Sequence, residues 1–344
     1  MIRILKMEPE YIDLNSYFSG ANPDMKFERY RNLWKKAGDY KVFTSFPLHL
    51  DIELSGVCNL KCKNCFQNEL LDVPLGLMDT RLFERIITEG TQKGLCAIKL
   101  QIRGESFLHP GLFDCIKFSK KMGVLDTQIT TNGTLLNSET IQKVLDSGLD
   151  GIIFSADTHH TDNYKLENKT SRVEAAINEL LSRRKESSLK KPWVRIQSSI
   201  PSMDKTSFET AKNYIKKKFP LADIHVVSRL YDFRYDHDVF DDLHTSYDMG
   251  PCSYLMHRLA VFWNGDVTVC CSDYNNKFQL GNIYDKSLED IWKSEKLTRF
   301  RQMHFSGKRQ LMDVCKHCQA DLSPKTQSGR VMDKTKQHIA DYAT

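Results

Sequence analysis

The stretch Leu50-Asp51-Ile52-Glu53-Leu54-Ser55-Gly56-Val57-Cys58-Asn59-Leu60-Lys61-Cys62-Lys63-Asn64-Cys65-Phe66 decides how this chain is read. It opens with alternating apolar and acidic residues, the period of a β-strand with two different faces. It ends with three thiols on one short loop. Ten cysteines in 344 residues is far below the density of a disulfide scaffold, so clustered thiols point to metal or redox chemistry. Iron–sulfur cubes are usually held by four thiolates. Three on one loop, with no fourth cysteine or histidine nearby, leave one iron open, and an open metal position is where a substrate docks. By spacing alone, a structural zinc site completed from elsewhere is the alternative.

Outward from this stretch, short apolar runs alternate with longer amphipathic ones, the signature of repeated βα units and a parallel sheet. Six strands are expected, at Leu50–Leu54, Ala97–Ile102, Thr127–Thr131, Gly151–Ser155, Trp193–Ile200 and Asp223–Arg229. Helices are expected around Met25–Lys36, Pro110–Met122, Val173–Arg184 and Ser287–His304, the second with proline near its start and Gly123 past its end. The cysteine loop then lies at the carboxyl end of the first strand, where βα barrels build their active sites.

Every second strand residue is polar: Asp51, Glu53 and Ser55; Lys99, Gln101 and Arg103; Gln128, Thr130 and Asn132; Ser155 and Asp157; Arg195, Gln197 and Ser199; His225 and Arg229. Parallel strands covered by helices are normally apolar on both faces. Turned inward, these polar faces line a wet cavity of ligand size. An exposed antiparallel sheet is the alternative.

A second set of thiols follows: Cys252, Cys270, Cys315 and Cys318, with Cys271 a rival to Cys270. Asn264-Gly265 between two alternating runs reads as a hairpin turn that brings Cys270 back toward Cys252. Four cysteines ending in C-x2-C fit a closed cluster or a tetrahedral zinc. The expected organisation is an extension over residues 1–45, a barrel over 46–235, a small domain over 250–322 and a tail over 323–344.

Composition bounds the function. With 40% hydrophobic and 27% charged residues, the chain is globular. A net charge of +5 without a basic block argues against nucleic acid. No apolar run approaches the roughly 18 residues of a membrane span. Met1-Ile2-Arg3-Ile4-Leu5-Lys6 is interrupted by charge too early for a signal peptide. A cytoplasmic protein is expected.

C-x3-C-x2-C after a first strand resembles the radical SAM superfamily. The resemblance implies an α/β fold, a partial (β/α)6 barrel, whose Cys58, Cys62 and Cys65 hold a four-iron, four-sulfur cluster. S-adenosyl-L-methionine is chelated at the open iron and cleaved to a 5'-deoxyadenosyl radical. Arg103-Gly104-Glu105-Ser106 is similar to the family's G-G-E-P, with Gly104 and Glu105 toward the methionine amino group and Arg103 a cation facing substrate. Thr130, Asn132, Ser155 and Asp157 resemble the ribose and carboxylate contacts, and Phe66 the aromatic near the adenine. Arg195 or Arg172 is suited to the carboxylate. Arg195, Gln197, His225, Arg229 and Tyr231 are left to face substrate.

The stretch from Cys252 to Cys318, with Ser287-Leu288-Glu289-Asp290-Ile291-Trp292, is similar to SPASM and twitch domains, which implies one auxiliary 4Fe-4S cluster. This layout resembles the 2-deoxy-scyllo-inosamine dehydrogenase family. It implies oxidation of a sugar or aminocyclitol alcohol, with Arg195 positioning the hydroxyl and flavodoxin or ferredoxin as electron donor. Peptide modification is one rival. Epimerisation is another, with Cys271, Cys115 or Cys96 as hydrogen donor. A binding module with two zinc sites is the rival outside enzymes.

Overall fold

The apolar residues that separate the polar ones in each strand call for helices on one side of a sheet, and the chain supplies them in strict alternation. The computed structural model describes residues 9–62, 65–70, 73–156, 167–200, 205–229, 251–316, 318 and 331–332. In chain order come β1 (Glu10–Ile12), α1 (Leu14–Phe18), α2 (Pro23–Gly38), β2 (Val42–Thr44), β3 (His49–Ile52), α3 (Thr80–Gln92), β4 (Ala97–Lys99), α4 (Leu112–Lys121), β5 (Asp126–Thr131), α5 (Ser138–Asp146) and β6 (Gly151–Ser155). Then follow α6 (Glu167–Glu186), β7 (Trp193–Ile200), α7 (Lys205–Lys218), β8 (Ile224–Arg229), β9 (Arg258–Val261), β10 (Asp266–Thr268), β11 (Gly281–Asn282), α8 (Leu288–Trp292), α9 (Glu295–Phe305), α10 (Asp313–Lys316) and β12 (Val331–Met332).

Strands β3 to β8 lie side by side in chain order, all parallel. The antiparallel alternative is thereby excluded. The outward residues Leu50, Ile98, Ile129, Ile152, Val194 and Ile196 pack with Ile86, Ile116, Ile141 and Leu180 of the helices into one core. Side-chain caps set the helix starts: Asn22 accepts from Met25 N and precedes Pro23, and Asn137 closes a capping box with Thr140. The helix expected over Ser287–His304 is two, because the Ser294 side chain accepts from Leu297 N and starts a new helix, α9.

The sheet does not stop at the barrel. Strand β9 pairs parallel with β3, His49 beside Arg258 and Ile52 beside Val261. The hairpin through Asn264-Gly265, with Gly265 at φ +84°, then adds β10 and β11 antiparallel. β12 pairs antiparallel with β8 at the other edge. The N-terminal residues, whose role the sequence does not reveal, lie across β3 and β9. The Trp34 ring of α2 sits 3.7 Å from the His257 ring and 5.6 Å from that of His49.

Candidate active site

Register decides which side chains face inward. Asp51, Lys99, Gln128, Gly151 and Trp193 form one row, and Thr130, Ile153, Arg195 and Ile224 the next. Ser155, Gln197 and Val226 follow above. Gly151 stands where a Cβ would lie 2.1 Å from the Trp193 ring, so glycine there lets the indole fill that part of the barrel. Ile153, Trp193, Ile224 and Val226 make an apolar patch on the inner face. The expected polar lining therefore covers the β3 to β5 side and the mouth, where Lys99, Gln101, Thr130, Asn132, Ser155, Gln197 and Ser199 are half-buried.

His225 faces the other way. It pairs with Ile196, on the helix side, and its Nε2 lies 2.9 Å from the Phe219 carbonyl oxygen. The expected inward set on this strand is off by one residue: Ile224, Val226 and Ser228 point in, and Ser228 Oγ lies 3.2 Å from Ser199 Oγ. Arg229 continues the His225 parity beside Ile200. Its side chain, Asp157 and Tyr231 lie outside the described residues. Arg172 is exposed on α6.

Arg103 does not present an open fork to substrate. Its Nε and Nη2 each donate at 2.6 Å to the Glu53 carboxylate, Nη1 donates to the Tyr274 carbonyl at 3.2 Å, and the guanidinium lies 4.2 Å from the Phe262 ring centroid. Glu53 also accepts from the main-chain N–H groups of Arg103 (3.2 Å) and Trp263 (3.3 Å). This buried pair pins β3, the loop after β4 and the β9–β10 hairpin together. The sequence shows an arginine where glycine is usual; that an acid at the end of the adjacent strand β3 neutralises it follows only from the fold.

The loop after β4 presses on the thiol loop. A Cβ on Gly104 would stand 2.2 Å from Ser55 O and 2.4 Å from Val57 O, and Glu105 N donates to Val57 O at 2.9 Å. The Glu105 carboxylate accepts from Thr131 Oγ1 (2.8 Å), Asn132 N (2.8 Å) and Phe107 N (3.2 Å), so it ties the loops after β4 and β5 together. Asn132 Nδ2 in turn donates to Asn59 Oδ1 at 3.0 Å and approaches Cys58 Sγ at 3.9 Å. Phe66, directly after Cys65, stacks on Tyr274 at 4.9 Å. Tyr274 was not foreseen, because its position depends on the hairpin returning to the barrel.

Burial raises the pKa of Cys58 and Cys65, and the neighbouring thiols of the same loop add to the effect, so Cys58, Cys62 and Cys65 lie within electrostatic reach of one another. In the second set, burial and then Cys271, Cys318, Cys252 and Cys315 push the Cys270 thiol far up. Cys270 is thus grouped with the other three. Cys271 is raised to about 11 by burial and then Asp51, with Arg258 and Lys99 opposing and Cys318 adding to the rise, so it lies within electrostatic reach of both the barrel interior and the auxiliary thiols. Among the described residues no three His, Cys, Asp or Glu side chains converge as they would on a single ion. Three soft thiols on a loop clamped by Gly104, and four around Cys270, fit iron–sulfur clusters by donor chemistry. Cys96 and Cys115 are buried in the apolar core, away from the interior. No described helix is long and apolar enough to cross a membrane.

Comparison with known proteins agrees with this geometry. A profile of the radical SAM superfamily matches residues 52–187, and one of the SPASM iron–sulfur cluster-binding domain matches residues 252–319. The tungsten-containing aldehyde ferredoxin oxidoreductase cofactor-modifying protein of Pyrococcus furiosus is 27% identical over 313 residues, 78% of this chain and 86% of that protein. The S-adenosyl-L-methionine-dependent 2-deoxy-scyllo-inosamine dehydrogenase of Niallia circulans is 43% identical, but over 54 residues, 16% of this chain and 22% of that enzyme. Among solved structures, BtrN in complex with AdoMet and 2-DOIA superposes with a TM-score of 0.58 at 20% identity, covering 82% of this chain and 97% of BtrN. Streptococcus suis SuiB bound to S-adenosylmethionine gives 0.56 at 19%, covering 79% and 72%. At such identities the superpositions establish the fold.

Proposed function

This chain belongs to the radical SAM superfamily and carries a C-terminal SPASM-type iron–sulfur domain, and we propose that it oxidises an alcohol of a hydroxylated small molecule of the sugar or aminocyclitol type. When bound, S-adenosyl-L-methionine and a cluster on Cys58, Cys62 and Cys65 supply the 5'-deoxyadenosyl radical, and an auxiliary cluster on Cys252, Cys270, Cys315 and Cys318 supplies an acceptor for the second electron. Flavodoxin or ferredoxin serves as electron donor.

The observation that carries this reading is the half-buried set of hydrogen-bonding side chains at the mouth, Gln101, Ser155, Gln197 and Ser199, above the row of Thr130 and the buried Arg195. Arg195 Nη2 donates to Gln197 Oε1 at 2.7 Å, which aims both toward the same region. They position a hydroxyl; arginine at its ordinary pKa is too weak an acid to act as its base. Oxidation to a ketone removes a hydrogen atom from carbon, a proton from oxygen and one further electron. The proton goes to water at the half-buried mouth. Phe66 stacked on Tyr274 offers a face to an adenine, Asn132 and Ser155 offer polar contacts to a ribose, and the main chain at Gly104 and Glu105 receives the amino group.

Anaerobic reconstitution with S-adenosyl-L-methionine, dithionite and a panel of aminosugars and aminocyclitols tests the reading. A ketone and one 5'-deoxyadenosine per turnover are expected, with no solvent deuterium in the alcohol recovered from heavy water. Cleavage of the cofactor with the whole panel untouched overturns the substrate class. That outcome favours a second reading, modification of an enzyme cofactor, which the long match to the Pyrococcus furiosus protein supports.

A further inference from the structure

We infer that the substrate carries an anionic group, a phosphate ester or a carboxylate, and that Lys99 receives it. The inference deepens the proposed reading and rests on its placing of the substrate in the barrel. Lys99 closes β4 between Asp51 of β3 and Gln128 of β5, so it stands on the inner face. It is half-buried, and among the described residues its ammonium makes neither a hydrogen bond nor an ion pair.

The neighbouring charges are otherwise engaged. Asp51 lies opposite, yet its Oδ1 is 3.2 Å from His49 Nε2 and its Oδ2 is 3.4 Å from Arg258 Nη1. The charged groups acting on Lys99 are Asp51, the Cys271 thiol, Arg195 and Arg258. Among the described residues Lys99 and Arg258 therefore share the single carboxylate of Asp51 in a desolvated space, an arrangement that a further anion relieves. Burial, with Arg195 and Arg258, already draws the Lys99 pKa down against Asp51 and Cys271.

Hydrogen-bond donors occupy the adjoining rows. Thr130 Oγ1, one row above on β5, and Arg258 Nε, one row below on β9 beside His49, are buried with no hydrogen-bond partner among the described residues. An unsatisfied buried polar atom is unfavourable, so a ligand oxygen that accepts from them is favoured. The same chemistry has two sources, the substrate and the carboxylate of S-adenosyl-L-methionine. Lys99 sits below the loops that carry the thiols and Gly104, and we assign it to the substrate.

The test uses the reconstituted holoenzyme and its Lys99→Met and Lys99→Gln variants, with inorganic phosphate titrated by phosphorus NMR and S-adenosyl-L-methionine by equilibrium dialysis. Phosphate binding is expected in the native protein and is weakened at least about tenfold in both variants, a loss of about 1.4 kcal/mol. Affinity for S-adenosyl-L-methionine stays unchanged. Absence of phosphate binding, equal binding in variants and native protein, or a loss falling on S-adenosyl-L-methionine instead each overturns the assignment. Both titrations are read without turnover, so a failed oxidation assay is a separate result.

Discussion

Two residues of the Arg103-Gly104-Glu105-Ser106 loop show what one position decides. Arg103 and Glu53 are both almost wholly buried, and removing one partner of such a pair leaves a bare charge in the interior, at about 3–5 kcal/mol. Arg103→Met is therefore expected to lower unfolding free energy by that order in urea titration, and adding Glu53→Gln to recover part of it. If Arg103→Met is as stable as the native protein, the pair is not structural. Gly104 admits no Cβ, since Ser55 O and Val57 O lie too near. Gly104→Ala is expected to move the thiol loop, destabilise by about 1–3 kcal/mol, and lower the iron bound per chain, checked by colorimetric iron analysis. The glycine was legible from the motif. The arginine's partner was not, because an ion pair joins residues that only the fold makes neighbours.

At the scale of the element, α2 is the part whose purpose the sequence concealed. Its amphipathic pattern predicts a helix and says nothing of what it covers. Trp34 covers His49, His257 and Arg258, the last at 5.1 Å from the ring centroid. Trp34→Ala is expected to cost about 3–5 kcal/mol, measured by chemical denaturation. Burial lowers the pKa of both His49 and His257, that of His257 well below its ordinary value. The unfolded chain then takes up protons first, so stability is complete above about pH 6.5 and falls as the pH drops below it. His257→Phe, which keeps a ring against Trp34, should flatten that slope; an unchanged slope would show that His257 does not titrate on unfolding. The last barrel strand teaches a related lesson. β8 lies where the sequence predicts it, but His225, whose polarity predicts the inner face, is turned to the helices by pairing with Ile196. A one-residue choice of parity reverses every side chain of a strand.

For the whole molecule, the continuous sheet matters most. Because β9 is hydrogen-bonded to β3, removing residues 250–344 uncovers the edge of the strand that leads to the thiol loop. The truncated chain is expected to aggregate and to lack a cooperative melt, checked by size exclusion and circular dichroism; a soluble, cooperatively melting barrel would refute it. The boundary drawn from composition at residue 250 marks a change of pattern, and the sheet runs across it. What the sequence by itself determined was local: the strand periods, the helix caps, the hairpin at Asn264-Gly265 and the spacing of thiols on one loop. Each of these depends on neighbours a few residues apart. Only the tertiary structure decided that Glu53 neutralises Arg103, that Cys271 comes within electrostatic reach of Asp51 and Lys99, and that Lys99 makes no hydrogen bond or ion pair among the described residues. Those outcomes depend on register and on contacts between residues distant in the chain, and charge and burial take their meaning only after the sheet has closed.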